Sequence, residues 1–453
     1  MAGVNSLGIG SGVLTSDLID KLRAADDAII IKPLENKITV ANQKEDAYSL
    51  LSTLMTTFKS SASNLGGEDM YLGRAVSGNT DAVTVKAEAG SDVQSFNITN
   101  VSKAQKDVWN SQSSFESAST AIPTLGSGTL TVTIGGSPLT IDYTAATTLD
   151  DIKAAINENA GTTMTASSMQ VGDASYSLAI SSDELNQAIT FSDSNGGVDG
   201  LSTLLNLTNI QPAKAATFDF NGIAITRSTN EIGDLVNGVV ITLNQDQAAT
   251  DSASVNVTQN STLISSEMSI FVQNFNNLNT NLQDMTNSDK TSGSVGIFNG
   301  ESFIKSISRD MTDLIFKQNN SAGNSLVDYG ISIDRQGVMS LDAAAFETAY
   351  AKDPAAAQLF FSGDSTTDGL FKELDAKING YTGYKKLMSN FSDQLSSSKS
   401  SLTDQYDRQK AALDNRYEIM SKRFAAYDAI ISKMNASFSS LQLIINTSQA
   451  STN

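Results

Sequence analysis

The stretch Leu413-Asp-Asn-Arg-Tyr417-Glu-Ile-Met420-Ser-Lys-Arg-Phe424-Ala-Ala-Tyr427-Asp-Ala-Ile-Ile431-Ser-Lys-Met434-Asn-Ala-Ser-Phe438-Ser-Ser-Leu441-Gln-Leu-Ile-Ile445 decides the fold. Its apolar positions, from Leu413 through Tyr417, Met420, Phe424, Tyr427, Ile431, Met434, Phe438 and Leu441 to Ile445, alternate steps of four and three. That is an a/d heptad seam held for more than four heptads, the pattern of a long coiled-coil helix. The phase continues backwards through Leu402 and Leu395 to Phe391, with polar Ser398 and Gln409 at two seam positions. No glycine or proline interrupts residues 391–445. At about 1.5 Å per residue the helix is about 80 Å long, and its stripe can be buried only against another long helix.

The N-terminal part offers the partner. Leu14, Leu18, Leu22, Ala25 and Ile29 follow helical spacing, and Leu34, Ile38 and Ala41 resume beyond Pro33. Tyr48, Leu51, Met55, Phe58, Ala62 and Leu65 form a second stripe, stopped by Gly66-Gly67. Ile264, Met268, Phe271, Phe275, Leu278, Leu282 and Met285 predict a third helix. Between them, residues 76–260 are rich in Thr, Ser, Gly, Asn and Val with strand-like alternation. The hairpins Thr129–Ile134/Leu139–Tyr143 and Thr217–Phe220/Ile223–Ile225 turn at Gly135-Gly136 and Asn221-Gly222. Leu149–Asn157 reads as a short helix capped by Thr147 or Thr148. Glu231–Val236 reads as a second short helix before the strand Val239–Leu243. A hairpin followed by a helix would then occur twice, a weak internal repeat of two small β-rich domains.

Composition excludes much chemistry. The 453 residues hold no Cys, no His and five Pro, with 30 Lys+Arg against 49 Asp+Glu, a formal net charge of −19. Without Cys and His there are no disulfides, thiolate sites or imidazole general bases. The acidic balance opposes nucleic acid and anionic membrane surfaces. No run approaches the roughly 18 apolar residues of a membrane span, and no basic region followed by an apolar stretch marks a cleaved signal. Residues 1–60 carry 6 positive and 7 negative side chains and residues 387–453 carry 7 and 6; the acidity lies in 61–386, with 17 and 36. No charge precedes Asp17 or follows Lys433.

Other motifs are bland. Gly8, Gly10 and Gly12 have no strand before them, so they do not read as a nucleotide loop. Asp193-Ser-Asn-Gly-Gly-Val-Asp199-Gly200 lacks the spacing and closing Glu of an EF-hand and reads as a solvated turn. Lys385-Lys386 and Lys422-Arg423 are too few for a nucleic-acid patch. Asp150-Asp151 fits a helix start, where acids complement the dipole. No catalytic, cofactor or metal site is expected.

Five motifs in order carry a resemblance. Ser6-Leu-Gly-Ile-Gly-Ser-Gly12 with Leu18-Ile-Asp-Lys-Leu22 and Lys32-Pro33-Leu34 is similar to the N-terminal signature of the flagellar filament cap family, hook-associated protein 2. Asp46-Ala-Tyr-Ser-Leu-Leu-Ser-Thr-Leu54 resembles its second helix. Tyr329–Asp342 followed by Asp353–Phe360 resembles its strand-turn-strand and downstream helix. Arg416–Met434 resembles its C-terminal helix, and Leu149–Asn157 resembles the Ile-Asn motif of flagellin and cap variable domains. The chain departs from the pattern at Val13–Ser16 and Ala25–Ala28, and residues 110–215 match least.

The resemblance implies an α+β multidomain protein with a long terminal coiled-coil leg (1–42 with 396–453) and a helical domain with a small β-hairpin (43–75 with 261–395). Two inserted β-rich head domains complete it (76–109 with 216–260, and 110–215). It implies a non-enzymatic cap at the distal end of the bacterial flagellar filament that promotes flagellin insertion and prevents leakage. Expected partners are copies of itself (a pentamer), flagellin, the hook–filament junction protein and a cytoplasmic export chaperone on the C-terminal helix. Export would proceed without a cleaved signal peptide, to the filament tip. The expected interface is the seam itself: Leu14, Leu18, Leu22, Ile29, Leu402, and Leu413 through Ile445 at the positions named above. The alternatives are a junction protein or flagellin, an adhesin meeting host mucin or glycan through 110–215, and a carboxylate glycan-acting enzyme. That enzyme would need two acids converging at about 5–10 Å.

Overall fold

The computed structural model describes residues 12, 15–161, 163–248, 250–289, 294–316 and 325–450. The chain forms two compact units, one from residues up to Glu68 together with those from Ile264 onward, the other from Asp69 to Leu263. The helices used below are α1 (Ser16–Asp26), α2 (Lys32–Gly66), α3 (Leu149–Asn159), α4 (Ser261–Thr286), α5 (Ser302–Ile315), α6 (Leu370–Thr382) and α7 (Leu387–Ala450).

In the first unit the predicted stripes are core. Leu51, Met55, Phe58, Ala62 and Leu65 of α2 are buried, as are all seven apolar positions from Ile264 to Met285. Aromatic rings join the helices. Phe58 stacks on Phe271 with centroids 5.2 Å apart, and Phe271 meets Phe371 of α6 edge-on at 4.9 Å. Tyr329, Phe346, Phe360 and Phe361 continue the cluster. Phe391, near the start of α7, packs against Tyr48, Phe298 and Phe303. Close backbone approach explains Gly66: a Cβ there would lie 3.2 Å from the Lys372 nitrogen, and its carbonyl accepts from the buried Ser362 hydroxyl at 2.7 Å.

The second unit holds two apolar cores. An antiparallel five-stranded sheet is ordered 74–77, 252–259, 94–102, 216–220, 223–227, and a three-stranded one 231–236, 239–243, 83–87. Phe96, Ile98, Phe218, Ile241 and Val255 lie in the core formed by these strands. A four-stranded sheet (207–211, 108–111, 175–182, 164–172), a three-stranded sheet (137–143, 128–134, 189–193) and α3 surround the second core, with Leu130, Ile152, Ile156, Leu178 and Ile180. The Thr148 capping box starts α3, its Asp151 carboxylate reaching back to the Thr148 amide at 2.9 Å. Arg74–Ser77 belongs to the five-stranded sheet, so this unit starts ahead of the 75/76 boundary read from composition.

One expectation is corrected. Glu231–Val236 is a strand, not a helix; it pairs with Val239–Leu243 around Asn237-Gly238, where Gly238 takes φ +69°. The two-residue Asn-Gly loop directly between the strands is the hairpin signal. The second hairpin is therefore followed by another hairpin, and the hairpin-helix repeat falls with it.

Asparagine amides close several backbone edges. Asn157 of α3 takes both the N–H and C=O of Ala166, at 2.8 and 2.9 Å, as a neighbouring strand would. Asn276 does the same for Met339, and Asn230 for Ala104.

Candidate functional site: the terminal helix pair

α7 is 64 residues long, about 95 Å at 1.5 Å per residue. Its start is held by Met388, Phe391 and Leu395, all buried. Further on, α1, the turn after it and α2 lie along it, with Ile19, Ile31, Leu413 and Tyr417 buried together and Ile30, Tyr406, Met420 and Phe424 packed around them. Residues Asp27–Ile31 form a single π-turn in which the Lys32 amide donates to the Asp27 carbonyl. Pro33 has no N–H to continue the α ladder, and the wider turn accommodates that gap without ending the helix.

Polar contacts fix the pairing. The Tyr417 hydroxyl donates to Asp26 at 2.6 Å, Arg416 reaches the same carboxylate at 3.1 Å, and Arg23 pairs with Asp414. Lys399 pairs with Glu45 at 2.7 Å. The hydrogen bond to the Asp26 carboxylate, with burial second, raises the Tyr417 phenol above its ordinary value. These partly exposed ion pairs set register more than they add stability.

Leu413 and Tyr417 are thus buried within the chain, and Leu402, Met420, Phe424 and Ile431 are half-buried. Tyr427, Met434, Phe438, Leu441 and Ile445 are exposed, Phe438 by 64%. Off the seam, Ile430, Leu443 and Ile444 are exposed as well. On α1, Leu18 is half-buried and Leu22 exposed, and in the π-turn after it Ile29 is 74% exposed. Ile19, Ile30 and Ile31 take the packed positions, and sequence periodicity missed them because it followed the other apolar stripe of a short helix. Leu14 lies outside the described residues. Ser398 and Leu402 face Val40 and Ala41 across a shallow groove of about 340 Å³, flanked by Lys37 and Lys44. Among the described residues no group of three or more acids could hold a metal, and no helix is long and apolar enough to cross a membrane.

A β-rich unit inserted between the two halves of a helical unit, whose last helix continues past its own packing as an open apolar face, defines a structural assembly subunit. Family models for the N-terminus and the C-terminus of flagellar hook-associated protein 2 match residues 11–107 and 213–436. The chain belongs to the flagellar hook-associated protein 2 family. Among relatives so named, one from Helicobacter pylori is 31% identical, with 56% of this chain and 38% of that protein covered. The Campylobacter jejuni relative is 29% identical over 79% of this chain and 64% of its own length. The Escherichia coli K12 relative is 26% identical, over 97% and 98%. The chain therefore spans under two thirds of the first two and nearly all of the third. The crystal structure of the D1-D2-D3 domains of the flagellar cap protein FliD from Escherichia coli shares the fold, with a TM-score of 0.52 at 22% identity over 77% of this chain and 99% of that one.

Proposed function

We propose that the chain is a subunit of the cap at the distal end of the bacterial flagellar filament, a structural part with no catalytic role. The observation that carries this is the open face of α7 from Tyr427 to Ile445, continuing the line on which Leu413 and Tyr417 are already packed. Exposed apolar stripes of this length are covered in the functional assembly. Helices of further copies and of flagellin supply the complementary knobs and holes. The same face gives an export chaperone its hold before secretion, and the junction protein offers the first filament-side partner. Copies form a closed ring, a pentamer, whose helical ends sit among filament subunits while flagellin is inserted beneath.

The test is truncation after Lys433. It leaves the packing around Tyr417 and Phe424 intact, so the shortened protein should fold with an unchanged thermal midpoint. It should nevertheless fail to cap filaments and let flagellin leak into the medium. Normal capping by the shortened protein would refute the proposal.

A further inference from the structure

The turn between α6 and α7, Gly383-Tyr384-Lys385-Lys386, projects an aromatic ring and two cations. Tyr384 is 84% exposed, far more than any other described Tyr among the exposed apolar residues, and its ring is met by the Lys385 ammonium at 5.4 Å. Lys385 holds φ at +55°, a left-handed conformation that costs a non-glycine residue. The turn is nevertheless closed, by Gly383 donating to Asn379 and Lys386 donating to Gly383. Between Asp375 and Asp393 the chain has three lysines and no acid. Lys377 is engaged by Asp310 at 3.1 Å, whereas among the described residues Lys385 and Lys386 form no ion pair.

The complementary charge lies in the β-rich unit. Residues 69–263 carry 20 acids against 7 bases. Lys153, Lys214 and Arg227 are held by Asp150, Asp246 and Asp234, while Arg74 and Lys103 are spent on backbone carbonyls. Its outward field is therefore anionic over a Debye length of about 8–10 Å. We infer that the Tyr384–Lys386 turn is an intersubunit anchor, docking onto the acidic β-rich unit of a second copy. An exposed Tyr beside paired cations is the composition of an interface anchor, with the charges steering encounter and the ring supplying contact. The inference rests on the oligomer reading of the proposed function.

The experiment places a benzophenone photo-crosslinking side chain at position 384 of the full chain. The expected product joins two copies through residues 69–263 of the second, in a yield that falls as salt rises from about 0.05 to about 0.5 M. Cross-links confined to one chain, or reaching only residues beyond 263 of the second copy, would overturn the inference alone. A parent chain that stays monomeric throughout would overturn the oligomer reading as well. Independently, Lys385→Glu with Lys386→Glu should weaken self-association about tenfold at low salt with unchanged melting. Lys385→Gly should melt higher, because the left-handed turn is relaxed, and still associate more weakly. Wild-type association by the charge-reversed chain would refute the anchor.

Discussion

Asp107 is where the chain enters the second core of the β-rich unit, and its removal should be felt there first. The residue is 1% exposed, yet its pKa is held below the ordinary carboxylate value. Burial pushes its pKa up, but hydrogen bonds from the Ile189 amide (2.6 Å), Trp109 Nε1 (2.9 Å), the Asn209 side-chain amide (2.7 Å) and the Ala213 amide (3.0 Å) outweigh it and leave the value below the usual carboxylate range. Those donors come from the strand leaving Asp107, from the far sheet, and from the returning segment, so one side chain ties together both passages of the chain. In Asp107→Ala, Trp109 and Asn209 can turn toward water, but the two backbone donors cannot. At about 1–3 kcal/mol for each stranded donor, the loss is about 4 kcal/mol. With a urea slope of about 1.5 kcal/mol per molar, the midpoint falls by about 2.5 M. Trp109 is the only tryptophan and bonds the deleted group, so its fluorescence reports this transition in isolation. The pH sign follows from the lowered value: the stabilisation is present above the unfolded carboxyl value and is lost as pH falls through the folded one. Asp107→Ala should lack that acid limb. A midpoint within about 0.5 kcal/mol of wild type, on the same slope, would refute the reasoning.

Two further changes test the packing. Phe271→Ala removes a ring that is wholly buried between Phe58 and Phe371 and should cost the helical unit about 3–5 kcal/mol by calorimetry. Asn157→Ala strips the amide from Ala166 and should cost about 1–2 kcal/mol. It also opens the 164–172 strand edge, so light scattering on heating should rise, whereas Asn157→Ala without added aggregation would show that the edge is guarded by something else.

Much of the fold was legible because period and punctuation agree. The stripes of α2 and α4 follow the sequence spacing closely, with Tyr48 half-buried and the other positions buried, since the apolar face of an amphipathic helix is the one that packs. The Gly135-Gly136 and Asn221-Gly222 hairpins form as read, with left-handed φ at both positions of each turn. Glu231–Val236 is ambiguous in sequence because Ile232, Leu235 and Val236 fit a helical spacing as well as a strand. In such a short run the Asn237-Gly238 turn, not the period, carries the information. Asp107 and the Asn157 amide were illegible for another reason. Trp109 apart, their partners lie from 9 to 106 residues away, which no local pattern encodes. The Lys385-Lys386 pair was visible but uninformative until the exposed ring and the left-handed turn gave it a shape.

The second apolar stripe of α1 and the turn after it bears on assembly. Leu18, Leu22, Ala25 and Ile29 form one stripe, while Ile19, Ile30 and Ile31 form another beside it, and only the second meets α7. A helix that packed once, against a single neighbour, would carry polar residues where Leu22 and Ile29 stand. α7 shows the same surplus beyond Phe424, where Ile430, Leu443 and Ile444 flank the open seam. Each terminal helix therefore has apolar surface left after the pairing that the single chain provides. The charges point the same way: residues 1–60 and 387–453 together balance to zero, while the acids gather between them. Near-neutral helices with spare apolar faces can enter a crowded bundle without like-charge cost, and the acidic middle keeps the same chain soluble until they do.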